Sequence, residues 1–141
     1  EPPGERRVVE VPTRYDGPDL SAVADHWGIT VEEVIRRHTG TDMVVAFCGF
    51  APGFAYMGPV EPRLSLPRRA NPRTRVPAGS IGLAAGQTGI YPMETPGGWH
   101  LIGRTPVKPF DEHRAEPVLL RPGDRVRFTP ISREDFDRSP G

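Results

Sequence analysis

The sequence predicts one mainly-β domain, a compact barrel or sandwich of short strands with a single small helical pair. The first observation behind this prediction is the 18 prolines and 16 glycines among 141 residues, about twice their ordinary share, which favour turns over long helices. The second is a hydrophobic fraction of 36% that includes two Trp, three Tyr and six Phe, enough for a core at this length. The third is a formal net charge of zero, which is unusual for a disordered chain.

Charge and cysteine content exclude several classes of protein. A chain without net charge is not a general binder of nucleic acid or membranes. The single cysteine, Cys48, excludes an internal disulfide and a cysteine-rich zinc site. The four histidines lack the spacing of metal ligands, so we predict no metal. No apolar stretch reaches membrane-spanning length and no apolar signal region opens the chain, so we expect a cytoplasmic protein.

The first elements in the chain are a strand and a helix. A strand is predicted over residues 7–11 and a turn over residues 15–18. Asp19 is the expected N-cap of the first helix, and Gly28 suits the left-handed residue that ends it. Four apolar residues of this helix recur at the spacing of one helical face. They are Leu20, Val23, Ala24 and Trp27.

A second helix follows at once. Thr30 and Glu33 form a capping box, with Val34 and Ile35 facing inward and an end near Gly40. Two helices around a tight turn also resemble a DNA-reading helix-turn-helix, which places the start of its second helix in the major groove. That position carries two glutamates that repel phosphate, so a helical hairpin packed on a sheet is the preferred interpretation.

The remaining elements are short strands between proline and glycine turns. They are predicted at residues 43–48, 80–85, 99–103, 117–120 and 125–129. Residues 121–124 form a turn, and Val126 and Phe128 share one face of the last strand. Residues 132–141 are expected to be a flexible tail of the one domain that spans residues 1–141.

Two groups of residues are first candidates for chemistry. Cys48 lies in an apolar strand, which favours a buried structural thiol over a nucleophile. The second group is a run of arginines among prolines without an acidic residue, and guanidinium groups bind carboxylate or phosphate in bidentate fashion. The run contains Arg63, Arg68, Arg69, Arg73 and Arg75.

Two loops are stronger candidates for a binding site. Residues 79–92 carry glycines that allow close backbone approach to a ligand, and they combine these with the hydrogen-bonding residues Gln87, Thr88 and Tyr91. Their spacing matches neither the dinucleotide fingerprint nor the phosphate-binding P-loop. Residues 47–56 hold three Phe and a Tyr around Pro-Gly, which suits either a pocket wall or aromatic packing under a turn.

Three long segments resemble one known family. They read FCGFAPGFAYM, RRANPRTRVPAGSIGLAAGQTGIYPMETPGGWHLIGRTP and LLRPGDRVRFTPI. They are similar to the allophanate hydrolase subunit 1 family, also called the KipI family or the family of the B-type subunit of 5-oxoprolinase (PxpB). The resemblance runs over residues 8–131 and implies a cyclophilin-like β-barrel with a short helical hairpin. Members usually carry a smaller N-terminal α+β domain as well, which we expect to be absent from this chain.

The resemblance also implies a function. The family pairs with allophanate hydrolase subunit 2, or the C-type subunit of 5-oxoprolinase, and with a further A-type subunit in ATP-dependent opening of 5-oxoproline. We therefore expect one component of an ATP-dependent amide or lactam hydrolase that is inactive alone and shares ATP with its partners. The alternative is a KipI-like inhibitor of a sensor histidine kinase. A barrel alone does not imply prolyl isomerase activity, and we expect none.

The expected pocket lies between residues 50–56 and residues 87–91. Arg75 or Arg104 would hold a carboxylate or phosphate, and Gln87 and Thr88 would orient the amide. No residue of the chain stands out as a general base, so the catalytic residues stay unassigned. The full set of expected binding residues is Phe50, Pro52, Phe54, Tyr56, Arg75, Gln87, Thr88, Gly89, Tyr91 and Arg104.

Overall fold

A computed structural model describes residues 8–40, 42–49, 53–58 and 67–138 of the chain. Its strands are β1 (Val8–Thr13), β2 (Met43–Cys48), β3 (Ala55–Gly58), β4 (Arg73–Val76), β5 (Ser80–Ala84), β6 (Gln87–Ile90), β7 (Thr95–Gly97), β8 (His100–Arg104) and β9 (Arg125–Pro130). Its helices are α1 (Leu20–Trp27), α2 (Val31–Thr39) and α3 (Arg133–Arg138). None of the helices in these ranges is long and apolar enough to cross a membrane.

Seven strands form one sheet in the order β1-β9-β2-β3-β6-β5-β8. β1 and β9 run parallel, and the other neighbours are antiparallel. The two ends of the sheet meet where Arg14, just after β1, bridges Arg104 at the end of β8 through two backbone hydrogen bonds of 2.8 and 3.0 Å. This closing seam turns the sheet into a barrel. The predicted mainly-β barrel with a helical hairpin is therefore confirmed.

A small second sheet pairs β4 with β7 outside the barrel. Together with β3 and β6 these strands were not predicted, because each has four residues or fewer. The strand expected at residues 117–120 is wrong. Within it Val118 forms an isolated bridge to Phe110, made by hydrogen bonds from the Asp111 N–H to the Pro117 carbonyl and from the Leu119 N–H to the Pro109 carbonyl. Pro117 has no N–H with which to extend this pairing.

The helical hairpin is confirmed, with one correction at its start. Gly28 adopts the left-handed conformation with φ of 68°, and the Thr30 side chain accepts a hydrogen bond from the Glu33 N–H as a cap. Asp19 does not cap α1 with its side chain. Its carboxylate instead reaches two arginines and a strand, as described below.

Two buried clusters lie within the barrel. The larger one contains the inward faces of α1 and α2 together with Val11, Met57, Ile90, Val126 and Phe128. The helices thus cover the barrel, which supports the packed hairpin over the DNA-reading alternative. The smaller cluster is aromatic and contains Phe54, Val76, Ala84, Tyr91, Trp99 and Leu101.

Cys48 and the C-terminal segment differ from expectation. β2 is buried only in its first half, so Cys48 is exposed and the prediction of a buried thiol is wrong. Partial burial and the charge of Asp124 nevertheless raise the pKa of the thiol, which disfavours the nucleophilic thiolate. Arg133–Arg138 forms the helix α3 rather than an irregular tail. The Phe136 ring holds α3 on the barrel, since its centroid lies 4.6 Å from Cζ of Arg14.

Candidate functional site

A cavity of about 250 Å³ opens over the smaller, aromatic cluster. We call it the aromatic pocket. Four parts of the chain meet there: β3 with the residue before it, the segment before β4, the residue after β6, and the end of β7 with the β7–β8 turn. The lining residues are Phe54, Tyr56, Arg68, Arg69, Pro72, Tyr91, Pro96, Gly97, Gly98 and Trp99.

Aromatic rings packed edge to face make the wall of this pocket. The centroid of the Phe54 ring lies 5.3 Å from that of Tyr91, with an angle of 86° between the ring planes. The corresponding values for Phe54 and Trp99 are 5.6 Å and 83°. Tyr56 lies 5.8 Å from Trp99 and stacks on the exposed Phe47 at 4.5 Å and 16°. These are the favourable offset geometries of aromatic pairs. The wall is therefore a set of mutually supported rings rather than a loose loop.

Two glycines lie so close to these rings that a larger residue would collide with them. A Cβ on Gly97 would lie 2.3 Å from the Tyr91 Oη, and one on Gly89 would lie 2.7 Å from Cζ of Phe54. Gly98, next in the chain to Gly97, meets nothing closer than 3.9 Å. Gly89 and Gly97 are thus required by side-chain packing, whereas Gly79 and Gly86 of the predicted loop adopt positive φ.

Two arginines stand at the rim of the pocket. Arg69 Nη1 donates to Asp19 Oδ1 at 2.8 Å, and its backbone N–H donates to the Gly98 carbonyl at 2.7 Å. Arg68 is exposed and makes no hydrogen bond or ion pair with another residue in the described ranges. One guanidinium is therefore fixed in place, and the other has its donors available for a ligand.

Asp19 fixes the arginine segment to the barrel. Its side chain is largely buried and accepts from Arg69, from both Nη atoms of Arg73 and from the Leu101 N–H at 2.8 Å. Burial acts to raise the pKa of this carboxyl, but the hydrogen bonds from Arg73 and Leu101 and the two guanidinium charges outweigh it and lower the pKa. Asp19 is thus an anionic anchor and not a proton donor.

Tyr91 is the most deeply buried hydroxyl of the wall. Burial raises its pKa, although a hydrogen bond from the Trp99 backbone and the charge of Arg68 act in the opposite direction. The phenol therefore stays protonated at neutral pH. It can orient a ligand by hydrogen bonding but cannot act as a base there.

The structure brings part of the predicted site together. Phe54, Tyr56 and Tyr91 line one pocket, and Gly89 lies directly behind Phe54. Phe50 and Pro52 fall outside the described residues, as does Arg63 of the arginine run. The role of each of these residues in binding stays a prediction.

Four predicted residues lie elsewhere. Arg75 and Arg104 line a separate cavity at the closing seam, and Gln87 is not among the residues that line the aromatic pocket. Thr88 is fully buried on the opposite side of β6, where its Oγ1 lies 3.3 Å from Nε2 of His38. Strand alternation explains the position of Thr88, because neighbours in β6 must point to opposite faces and Gly89 lies against Phe54.

Sequence patterns did not reveal Trp99 or the role of Asp19. Trp99 was predicted only as the start of a strand, although an aromatic residue directly after Gly97 and Gly98 is itself a signal for a pocket wall. The N-cap signal placed Asp19 correctly at the start of α1, but it gave no sign of the arginine partners, which lie 50 and 54 residues away in the chain. No group of three or more His, Cys, Asp or Glu side chains in the described ranges could hold a metal ion.

Comparison with known proteins identifies the family. The model of the carboxyltransferase domain, subdomain C and D, matches residues 1–120. The B-type subunit of 5-oxoprolinase from Escherichia coli O157:H7 is 52% identical over 129 residues, which are 89% of this chain and 59% of that protein. The urea amidolyase of Lachancea kluyveri is 38% identical over 87 residues, 57% of this chain and 5% of that protein.

A solved structure shows the same fold. The conserved uncharacterized protein PH0987 from Pyrococcus horikoshii superimposes with a TM-score of 0.88 at 44% identity, over 92% of this chain and 62% of that one. The chain spans about three fifths of the length of the E. coli relative. The resemblance found in the sequence motifs is confirmed: the chain belongs to the family of the carboxyltransferase domain, subdomain C and D.

Proposed function

We propose that this chain is the B-type component of an ATP-dependent amide or lactam hydrolase of the 5-oxoprolinase kind. The relationship to the B-type 5-oxoprolinase subunit of E. coli over most of the chain supports a role within a hydrolase. The single structural observation that carries the proposal is the aromatic pocket with Arg68 and Arg69 at its rim. Flat walls next to a guanidinium are what a small cyclic amide with a carboxylate requires.

The pocket suggests how such a substrate binds. The lactam ring lies against Tyr56 and Trp99, and its carboxylate pairs with Arg68, whose donors are not used by the described residues. The Tyr91 hydroxyl is in the same wall and serves as a donor to an amide oxygen that gains negative charge during the reaction. Binding in this orientation leaves the amide facing the aromatic wall.

The described lining of the aromatic pocket offers few groups for acid–base chemistry. Among the described lining residues the titratable groups are Tyr56, Tyr91 and the two arginines, so no carboxylate or imidazole is present to act as a general base. This composition supports shared chemistry. In the proposal, the C-type and A-type partners complete the site, and ATP is used across the complex to activate the amide oxygen.

The experiment compares two neighbouring glycines. We expect Gly97→Ala to lower kcat/KM for 5-oxoproline-dependent ATP hydrolysis at least about tenfold, because its methyl group displaces the Tyr91 ring. Gly98→Ala is the matched comparison, because it adds the same methyl group to the same lining with only an ordinary contact and leaves the Tyr91 ring in place. A smaller loss is expected for it, and the difference between the two variants measures displacement of the ring. Both variants are assayed with the A-type and C-type partners added, after unfolding curves show that each is folded.

Two results would contradict the proposal. One is equal activity of the Gly97→Ala and Gly98→Ala complexes, which would remove the aromatic pocket from the reaction. The other is the absence of 5-oxoproline-dependent ATP hydrolysis when the unaltered chain is combined with both partners. An Arg68→Gln variant with raised KM and unchanged kcat would locate the carboxylate at the rim.

A second candidate function is binding of a sensor histidine kinase as an inhibitor. The observation that favours a protein-binding role is Phe47, which is 50% exposed at the edge of the aromatic pocket. Exposed aromatic residues are common at protein interfaces. Capture of a histidine kinase by the unaltered chain, lost in a Phe47→Ser variant, would support this role, whereas capture of a C-type partner by the same surface would support the hydrolase.

A further inference from the structure

A second cavity, of about 350 Å³, lies at the closing seam of the barrel. We call it the seam cavity. Its wall contains four arginines and a single acidic residue. The lining residues are Arg14, Asp16, Gly17, Pro18, Arg73, Arg75, Pro77, Ser80, Leu101, Gly103 and Arg104.

Two of these arginines face each other across the seam. Arg14 and Arg104 are the bridge pair that closes the barrel, and like charges directly opposite each other destabilise a sheet. The Phe136 ring lies near both, 4.6 Å from Cζ of Arg14 and 5.6 Å from Cζ of Arg104. An aromatic face offsets part of the repulsion, but it does not neutralise either charge.

The carboxylates of the protein neutralise the charges of these arginines to different extents. Asp16 pairs with Arg14 at 2.7 Å, and Arg73 is held by Asp19. Arg104 has no carboxylate partner within the described ranges. Its Nη2 donates to the Ala78 carbonyl at 3.0 Å, and its Nε is buried without a hydrogen-bond partner among those residues.

Arg75 completes the cation cluster. Its side chain is 79% exposed, and its contact with Glu94 is long at 3.6 Å and exposed on both sides. Such a surface pair is weak and easily exchanged for a better anion. Arg75 is therefore available at the mouth of the cavity, while Arg104 lies deeper.

We propose that the seam cavity binds the phosphate group of a small ligand. A phosphate dianion carries enough charge and acceptor oxygens to use the open donors of Arg104 and Arg75 together. A carboxylate has two oxygens and a single charge, so it offers fewer acceptors and less charge to the two guanidinium groups than a phosphate does. A phosphate bound at this position supplies the negative charge that Arg104 has no carboxylate to provide. It also reduces the electrostatic repulsion between Arg104 and Arg14.

This site goes beyond the proposed hydrolase function. The seam cavity shares no lining residue with the aromatic pocket. Asp19 joins the two sites, because it holds Arg69 of the pocket and Arg73 of the cavity. Phosphate binding can be measured on the chain alone, so its outcome is independent of whether 5-oxoproline is the substrate.

The test is a titration followed by NMR of the arginine side-chain Nε–Hε signals. Inorganic phosphate, methyl phosphate and acetate are added separately at constant ionic strength. We expect saturable shifts of the Arg104 signal with the two phosphates and weaker binding of acetate. Saturation by methyl phosphate points to a phosphate ester, and saturation by inorganic phosphate alone points to the free ion. Either result supports the phosphate site.

Variants make the assignment falsifiable. Arg75→Gln is expected to weaken phosphate binding roughly tenfold, the usual loss for a charge-assisted hydrogen bond, and its exposure means that folding is unaffected. Arg104→Gln is expected to abolish saturable shifts of the remaining cavity signals, those of Arg14, Arg73 and Arg75. Arg121→Gln, at an exposed turn outside both cavities, is the matched control. Non-saturable shifts, equal affinities in the Arg75→Gln and Arg121→Gln variants, or acetate binding as tight as phosphate binding would overturn the proposal.

Discussion

The two sides of strand β6 use their polar groups in opposite ways. Thr88 points to the helix-covered side, where His38 has a hydroxyl near each ring nitrogen: Tyr15 Oη lies 2.6 Å from Nδ1 and Thr88 Oγ1 lies 3.3 Å from Nε2. Gly89, the next residue, lies behind the aromatic pocket, where Arg68 has no partner within the described residues. On the helix-covered side the polar side chains hydrogen-bond to one another, whereas on the pocket side hydrogen-bond donors remain at the surface.

This difference indicates where function can lie. Burial lowers the pKa of His38 to about 3, so the imidazole is neutral at any physiological pH and serves packing alone. Burial also favours the neutral form of Tyr15, because it raises the pKa of the phenol. A histidine would normally be the first candidate for acid–base chemistry. Here it belongs to the structural side, and the binding groups are arginines and aromatic rings.

The largest expected effect on stability comes from removing His38 on the helix-covered side of β6. His38→Ala removes a fully buried ring and leaves two hydroxyl groups without their partner. We expect the free energy of unfolding to fall by about 3 kcal/mol, measured by urea denaturation. His100→Ala is the control, because that half-buried ring makes one hydrogen bond to a loop carbonyl. Equal losses of unfolding free energy in His38→Ala and His100→Ala would contradict the special structural role of the helix-covered side.

The next effect is a pH dependence that originates on the same side. The pKa of His38 is about 3 when folded and about 6.5 when unfolded, so the unfolded chain binds the extra proton between these values. Stability is therefore fully present above pH 6.5 and falls by about 1.4 kcal/mol per pH unit as the pH decreases below it. Unfolding curves between pH 6.5 and 5 measure this slope. His38→Gln should flatten it, and an unchanged slope in that variant would exclude His38 as the source.

The smallest effect concerns Asp19, at the border between the arginine sites and the barrel. Asp19→Asn keeps an acceptor for the Leu101 N–H but removes the charge that holds Arg69 and Arg73. We expect a stability loss of about 1.5 kcal/mol and a weaker ligand affinity at the pocket rim. Asp42→Asn is the control, since Asp42 makes two similar bonds to Arg127 at the surface. A pocket affinity unchanged by Asp19→Asn would show that the anchor does not position Arg69.

Local signals were sufficient to predict the fold class and most of the regular elements. Gly28 and the Thr30 cap act within one turn of chain, and Val126 and Phe128 alternate as a half-buried strand must. The strands that were missed are short. β4 and β7 exist because each pairs with the other, which is tertiary information and cannot be read from residues 73–76 or 95–97 alone.

The site was predictable in composition but not in arrangement. The aromatic motif and the arginine run do meet, yet Gln87, Thr88, Arg75 and Arg104 were assigned to the same pocket only because they are near it in sequence. The pleat of β6 turns Thr88 to the helix-covered face, and Arg75 and Arg104 lie at the seam. Cys48 was misplaced for a related reason: an apolar strand can be buried at one end and exposed at the other.

The closing seam has a consequence for how the molecule assembles. Asp19 and Leu101, which are hydrogen-bonded there, are 82 positions apart in the chain. Joining such distant segments costs loop-closure entropy that no local turn can offset. Wherever the seam is open, β1 and β8 are unpaired strand edges that another chain can extend.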